Sequence, residues 1–319
     1  MNYELRITNL QKTEITNSKI LKTRKNKLKN KLKNKLPMKK LLLLSVSLFF
    51  IILLFAQTDK KDYELNIATY NLRMDTPRDS LDAWKYRKDN VNGLIRFHDF
   101  DIMGTQEGFH HQLLDITEPG DYAYVGVGRD DGKDGGEHSA IVYKTARFEV
   151  LDKGNFWFSL TPNEPSFGWD ANIRRICSWA KFRDKEADKE FFFFSLHYDH
   201  QGKEARRNSS ILLIQKIKEI AGDAPVFCVG DFNATPDDEP IQIIYNANFL
   251  HDSRLISQTK PYGTEGTFNA FNLYAPVKNR IDYIWVTEGI TIKKYGVLND
   301  VHYGHFPSDH FPVMVRAGF

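Results

Sequence analysis

The sequence predicts an α/β fold in one domain. Strand-like segments are many and helical ones few, and they form two similar halves in outline. Two runs, Glu190–Leu196 and Pro225–Gly230, are strongly apolar, which suits strands buried on both faces. After the N-terminal 56 residues, 263 remain, with no internal repeat and no interdomain linker, and one core of that size is ordinary for this class.

In chain order, Glu64–Tyr70 reads as a strand and Asp82–His98 as an amphipathic helix with Trp84, Val91, Leu94, Ile95 and Phe97 on its apolar side. Asp101–Gln106 is a strand and Gly108–Ile116 a short helix. A β-rich stretch follows, with strands at Tyr122–Val127, Ala140–Lys144, Phe148–Leu151, Asn155–Ser159 and Ile176–Phe182. Lys203–Ala221 and Ile241–Ala247 read as helices on either side of the Pro225–Gly230 strand. Arg280–Val286, Thr291–Val297 and Phe311–Arg316 close the chain as strands. Between them, Gly126–Gly136 reads as a solvated hairpin loop. Its Gly126-Val127-Gly128 opens no helix, and Asp130–Asp134 lacks the acidic spacing of an EF-hand.

Residues 1–56 read as a leader. A Lys- and Asn-rich run without acidic residues, Lys22–Lys40, precedes an apolar run, Leu41–Ala56, broken only by Ser45 and Ser47. A positive region, an apolar core and a small residue at the boundary make a secretory signal peptide, with cleavage expected after Ala56. The run of 16 residues falls short of the roughly 20 that a spanning helix needs. Export to the periplasm or the extracellular space is therefore expected, without stable membrane embedding after cleavage. An uncleaved anchor is the alternative. Met38-Lys39-Lys40 would serve as a start by itself, which makes residues 1–37 a candidate upstream extension.

The leader also carries the apparent basicity. It holds 13 of the 44 basic side chains and two of the 41 acidic ones, leaving 31 basic against 39 acidic in residues 57–319. An acidic body lacks the broad cationic footprint that gives non-specific nucleic-acid affinity, so a long nucleic acid is disfavoured while a local groove stays open to one. The two cysteines, Cys177 and Cys228, lie in apolar runs and are expected to be buried free thiols.

Polar residues recur where buried strands end: Asn71 after Ile67–Tyr70, Glu107 after Ile102–Gln106, His197 after Phe191–Leu196, and Asp231 and Asn233 after Val226–Gly230. Asp282 sits in Arg280–Trp285, and Ser308-Asp309-His310 precedes the last strand. One such residue is ordinarily a cap or turn former. Six such places carrying Asn, Asp, Glu or His point instead to a shared sheet edge.

These segments (Thr69–Leu72, Gln106-Glu107, Leu196–His200, Gly230–Pro236, Arg280–Ile284 and Ser308–His310) resemble, in order, the motifs of the endonuclease/exonuclease/phosphatase superfamily, which includes pancreatic-type deoxyribonuclease and bacterial sphingomyelinases. The resemblance spans residues 64–316. It implies a four-layered α/β/β/α sandwich of two mixed sheets with helices outside, and metal-dependent hydrolysis of phosphate esters with Mg²⁺ or Mn²⁺. A hard cation suits the oxygen ligands of Glu107, with Asn71 adding a carbonyl oxygen or holding a water, and Asp309 holding a second metal or bracing backbone amides. Where some relatives carry a further acidic ligand, this chain has Arg73.

By the same resemblance His310 is the general base, oriented by Asp282. Asp231 and Asn233 position water and phosphate, and His197 donates to the phosphoryl oxygens. Arg87, Arg175, Arg206 and His200 are candidate substrate contacts, since a guanidinium fork suits phosphate. The expected partner is a phosphate-ester substrate, small or linked to a glycan or lipid, met by a monomer. The alternatives are an extracellular nuclease and, less so, an inactive binding protein, which would be expected to have lost Glu107, Asp231 or His310.

Overall fold

A computed structural model describes residues 18–31 and 63–318. The chain divides into two units, residues 1–62 and 63–319. In the first, residues 18–31 form an exposed helix; the apolar run Leu41–Ala56 and the expected cleavage point lie outside the described residues. No described helix is long and apolar enough to cross a membrane.

The second unit contains two six-stranded sheets. The first is built from β1 (Glu64–Asn71), β2 (Ile102–Gln106), β3 (Tyr122–Val125), β4 (Ile141–Lys144), β11 (Thr291–Val297) and β12 (Val313–Gly318), in the order β11-β12-β1-β2-β4-β3. The second is built from β5 (Phe148–Trp157), β6 (Ile176–Asp184), β7 (Lys189–His197), β8 (Val226–Asp231), β9 (His251–Asp252) and β10 (Asp282–Val286), in the order β5-β6-β7-β8-β10-β9. Both sheets are mixed. β1 runs parallel to β2, and β7 parallel to β8, while the other neighbours are antiparallel.

The four layers follow from alternation along the strands. In β7, Phe191 and Phe193 point into the core between the sheets, with Phe227, Val229, Ile67, Ile102 and Val315. Phe192 and Phe194 point the other way, onto helices α3 (Lys203–Ala221) and α4 (Glu239–Asn246) through Leu213, Ile217, Ile241 and Ile244. The outer face of the first sheet, Ala68, Tyr70 and Met103, packs on α1 (Trp84–Phe97) and α2 (His110–Thr117) through Val91, Ile95, Leu113 and Ile116. A strand buried on both faces has no polar side to alternate with, which is why β7 carries four consecutive phenylalanines, Phe191–Phe194. The sheets approach closely at Gly104, where a Cβ would lie 2.3 Å from Val229 Cγ2.

Three elements differ from the sequence reading. The helix expected over 82–98 is α1, which starts at Trp84 because a 3₁₀ turn, Pro77–Asp82, precedes it and Ala83 is extended between them at φ −62°, ψ 150°. Phe148–Leu151 and Asn155–Ser159 belong to one ten-residue strand, β5, whose register shifts between Val150 and Asp152. The two-residue β9 pairs with β10 at the sheet edge and is too short to leave a periodic signal.

Candidate active site

The site forms where the two parallel pairs end. In the second sheet His197 pairs with Asp231, and Asp231 with Asp282, so three chemically active residues sit side by side on one rung. In the first sheet the last rung pairs Asn71 with Gln106, which places Glu107 one residue beyond the sheet at φ +63°. Asn71 joins the halves: its Nδ2 donates to Asp231 Oδ2 at 3.1 Å and to Glu107 Oε1 at 3.2 Å. The loop before β12 enters through Ser308, whose hydroxyl donates to the Asn71 carbonyl at 2.7 Å.

His310 Nδ1 lies 2.8 Å from Asp282 Oδ2, which also accepts the Thr267 hydroxyl at 2.6 Å. His310 Nε2 faces Asp231 Oδ2 at 3.8 Å, and Phe268 packs edge-on against the imidazole. Burial disfavours the imidazolium, but Asp282, then Asp231 and Asp309, outweigh it and hold the His310 pKa well above its ordinary value. His197 goes the other way. Burial, with Arg175, Arg129 and His310 nearby, keeps it neutral.

Asn233 completes the rung as an Asx turn, its N–H donating to Asp231 Oδ1 at 2.8 Å with φ +46°. Its Nδ2 donates to the Tyr198 carbonyl at 3.1 Å and approaches His197 Nε2 at 3.0 Å. The carbonyl fixes the amide's orientation, so His197 Nε2 is an acceptor in this conformation. Asn71 Oδ1 accepts the Arg73 N–H at 3.0 Å, and its side-chain NH₂ faces the Glu107 and Asp231 carboxylates.

The oxygen donors fit a hard divalent cation. Glu107 Oε2 and Asp309 Oδ2 lie 3.9 and 3.8 Å from Arg73 Nη1, close to Asp231 across Asn71. Burial, followed by the charge of Asp282, pushes Asp231 up to about 7. Burial pushes Asp309 up to about 6, and Glu107 adds to the rise. Such crowded, buried negative charge is relieved by a cation with oxygen ligands.

Of the four candidate substrate contacts, the structure brings two to the pocket. Arg175 and His200 line it together, with Arg175 Nη2 2.9 Å from His200 Nδ1 and Arg175 Nη1 buried without a partner. Arg87 is a correction. It is 2% exposed and spends its guanidinium on the backbone carbonyls of Leu72, Arg73, Asp82 and Pro307, which ties α1 to the loops beneath the site. Arg206 is another. It donates to the Asp199 carbonyl at 3.0 Å, where it supports the start of α3, and does not line the pocket.

The sequence reading missed the pocket's far wall. Arg129 and Glu137 form a bidentate pair at 2.6 Å for both bonds, and both line the cavity of about 300 Å³. Burial pushes Glu137 up to about 7 and lowers Arg129. Arg129 lies within the Gly126–Gly136 loop read as solvated and Glu137 directly follows it, and only an acid and a base eight residues apart in a Gly-rich stretch hinted at the pair.

Residues 68–310 match the model of the Endonuclease/Exonuclease/phosphatase family. Among solved structures, the chain is similar to an endonuclease/exonuclease/phosphatase family protein from Bacteroides thetaiotaomicron at 43% identity and TM-score 0.79, covering 81% of this chain and 96% of that one. It is also similar to the mannosyl-6-phosphatase of Bacteroides thetaiotaomicron VPI-5482, at 44% identity and TM-score 0.77, covering 80% of this chain and 100% of that one. Among curated proteins it is 21% identical over 324 residues to the CCR4-Not complex 3'-5'-exoribonuclease subunit Ccr4 of Emericella nidulans, matching 73% of this chain and about half, 47%, of that protein. The match through 243 residues and the site at the joined sheet ends agree: this chain belongs to the endonuclease/exonuclease/phosphatase family and is a hydrolase of phosphate esters.

Proposed function

We propose that the chain is an exported, divalent-metal-dependent phosphatase that, as a monomer, removes phosphate from a small or glycan-linked substrate. The observation that carries this reading is the walled pocket. Arg129, Glu137, Arg175 and His200 line it together with His197, Asp231 and His310, and its volume of about 300 Å³ suits a compact ligand. The acidic body and the likeness to a mannosyl-6-phosphatase support the same reading.

Glu107 and Asp309 would hold Mg²⁺ or Mn²⁺, which when bound neutralises charge developing on the phosphoryl group. Asp282 fixes the imidazole so that the deprotonated Nε2 of His310 takes a proton from the attacking water. Asp231, 3.8 Å from that nitrogen, aligns the water. Asn233 keeps its bond to the Tyr198 carbonyl and exchanges the one to His197 for a bond to a phosphate oxygen, which it thereby positions, and Arg175 supplies its unpartnered Nη1 to the ester's anionic oxygens.

Turnover should be compared across hexose 6-phosphates, bis-p-nitrophenyl phosphate, sphingomyelin, and single-stranded and duplex oligonucleotides, with Mg²⁺ and Mn²⁺. The reading expects sugar phosphates to have the highest kcat/KM and chelation to abolish it. Faster cleavage of oligonucleotides would instead favour the nuclease reading that the Ccr4 likeness suggests.

A further inference from the structure

Outside the phosphoesterase centre, His110, Asp134 and His138 each offer one ligand atom, and these atoms lie within 4.8 Å of one another. We propose that the three side chains form a second metal site, for a borderline cation of the Zn²⁺ class, which clips the 126–138 loop to the start of α2.

The decisive residue is His138. It is 1% exposed, and neither ring nitrogen has a hydrogen-bond partner. Burying an imidazole with no bond to either nitrogen is costly unless something fills the place. The carbonyls of Gly108 and Gly136 approach the ring without closing a bond. Either carbonyl suits the N–H of one ring nitrogen, which leaves the other nitrogen's lone pair for an ion, the usual arrangement of a metal-ligating histidine. Burial, then His110, lowers the His138 pKa, so the ring stays neutral, as a ligand must be.

The other two ligands face solvent and can move. The side chains of His110 and Asp134 are 37% and 73% exposed, with His110 Nδ1 3.5 Å from Asp134 Oδ1 and 2.9 Å from the Tyr124 hydroxyl. Ligands at ~2.0–2.1 Å from a tetrahedral ion stand ~3.3 Å apart, so small swings of these two side chains close the set. Two imidazoles and one carboxylate, with a water in the fourth place, suit Zn²⁺ better than Mg²⁺, which prefers oxygen alone.

The site's position gives it a consequence. His138 directly follows Glu137 of the pocket wall, and its backbone N–H donates at 2.8 Å to the carbonyl of Gly108, the residue after Glu107. An ion there would fix the loop that presents Arg129 and Glu137.

The test is a Zn²⁺ titration of the chelator-stripped full chain by calorimetry, with excess Mg²⁺ present, and Co²⁺ absorption as a report of coordination. Variants are His110→Ala and Asp134→Ala, whose exposed side chains leave the fold intact, with Glu107→Gln as the control for the phosphoesterase centre. The proposal expects one Zn²⁺ per chain despite Mg²⁺, intense tetrahedral Co²⁺ bands, and affinity weakened about tenfold or more in each of the two variants. Glu107→Gln should bind Zn²⁺ as wild type does. No Zn²⁺ uptake by wild type, unchanged affinity in both variants, or loss of uptake in Glu107→Gln would each overturn it.

Discussion

At the scale of single residues, the site is a set of opposed pKa shifts. His310, in the loop before β12, is raised by the Asp282 carboxylate bonded to it, while His197, at the end of β7, is lowered by burial and cationic neighbours. One imidazole is poised to exchange a proton and the other is locked neutral as an acceptor from Asn233. Asp282→Asn removes the charge that raises His310, so the neutral base forms at lower pH. The acid limb of the kcat–pH profile should then move to lower pH, while the plateau falls about 10²–10⁴-fold for loss of base orientation. A limb that stays in place would show that another group sets it. The strand-end residues were legible because each interrupts a buried apolar run. The Arg129–Glu137 pair was not, since a loop has no periodicity and the pair acquires its meaning only when the loop folds against the other sheet's rung.

At the scale of elements, parallel pairing does most of the placing. β1 with β2, and β7 with β8, end at one edge, and the rung of His197, Asp231 and Asp282 is a direct product of strand register. A slip of one residue in β8 would turn Asp231 to the opposite face. The strands were readable from hydrophobic runs, although the register shift in β5 and the break before α1 were not, because both depend on backbone geometry that composition does not encode. Arg87 shows the same limit. An arginine near the site suggested a phosphate ligand, yet it braces α1 against the ends of β1 and the loop before β12. Arg87→Leu would leave several buried carbonyls without donors and should cost about 3 kcal/mol of stability. A denaturant midpoint unchanged from wild type would contradict that bracing role.

At the scale of the whole molecule, three apolar layers enclose the two sheets, and the sequence resemblance anticipated this sandwich because its motifs run the length of the domain. Cys177 and Cys228 sit in the layer between the second sheet and its helices, buried and unpaired. Burial pushes both thiols up, so neither offers a thiolate to solvent. A thiol reagent should therefore find none in the native protein and two in denaturant without reductant; none in denaturant would reveal a disulfide.

The account centres on a single point where the two sheet ends meet, able to hold a cation and a phosphoryl group together. The most direct test is the anomalous scattering of crystals grown with Mn²⁺ and phosphate. The account predicts a Mn²⁺ peak ~2.1 Å from a Glu107 oxygen and in contact with Asp309, with phosphate between it, Asn233 and His310. Mn²⁺ bound away from Glu107, or phosphate lodged away from the His197–Asp231–Asp282 rung, would contradict it.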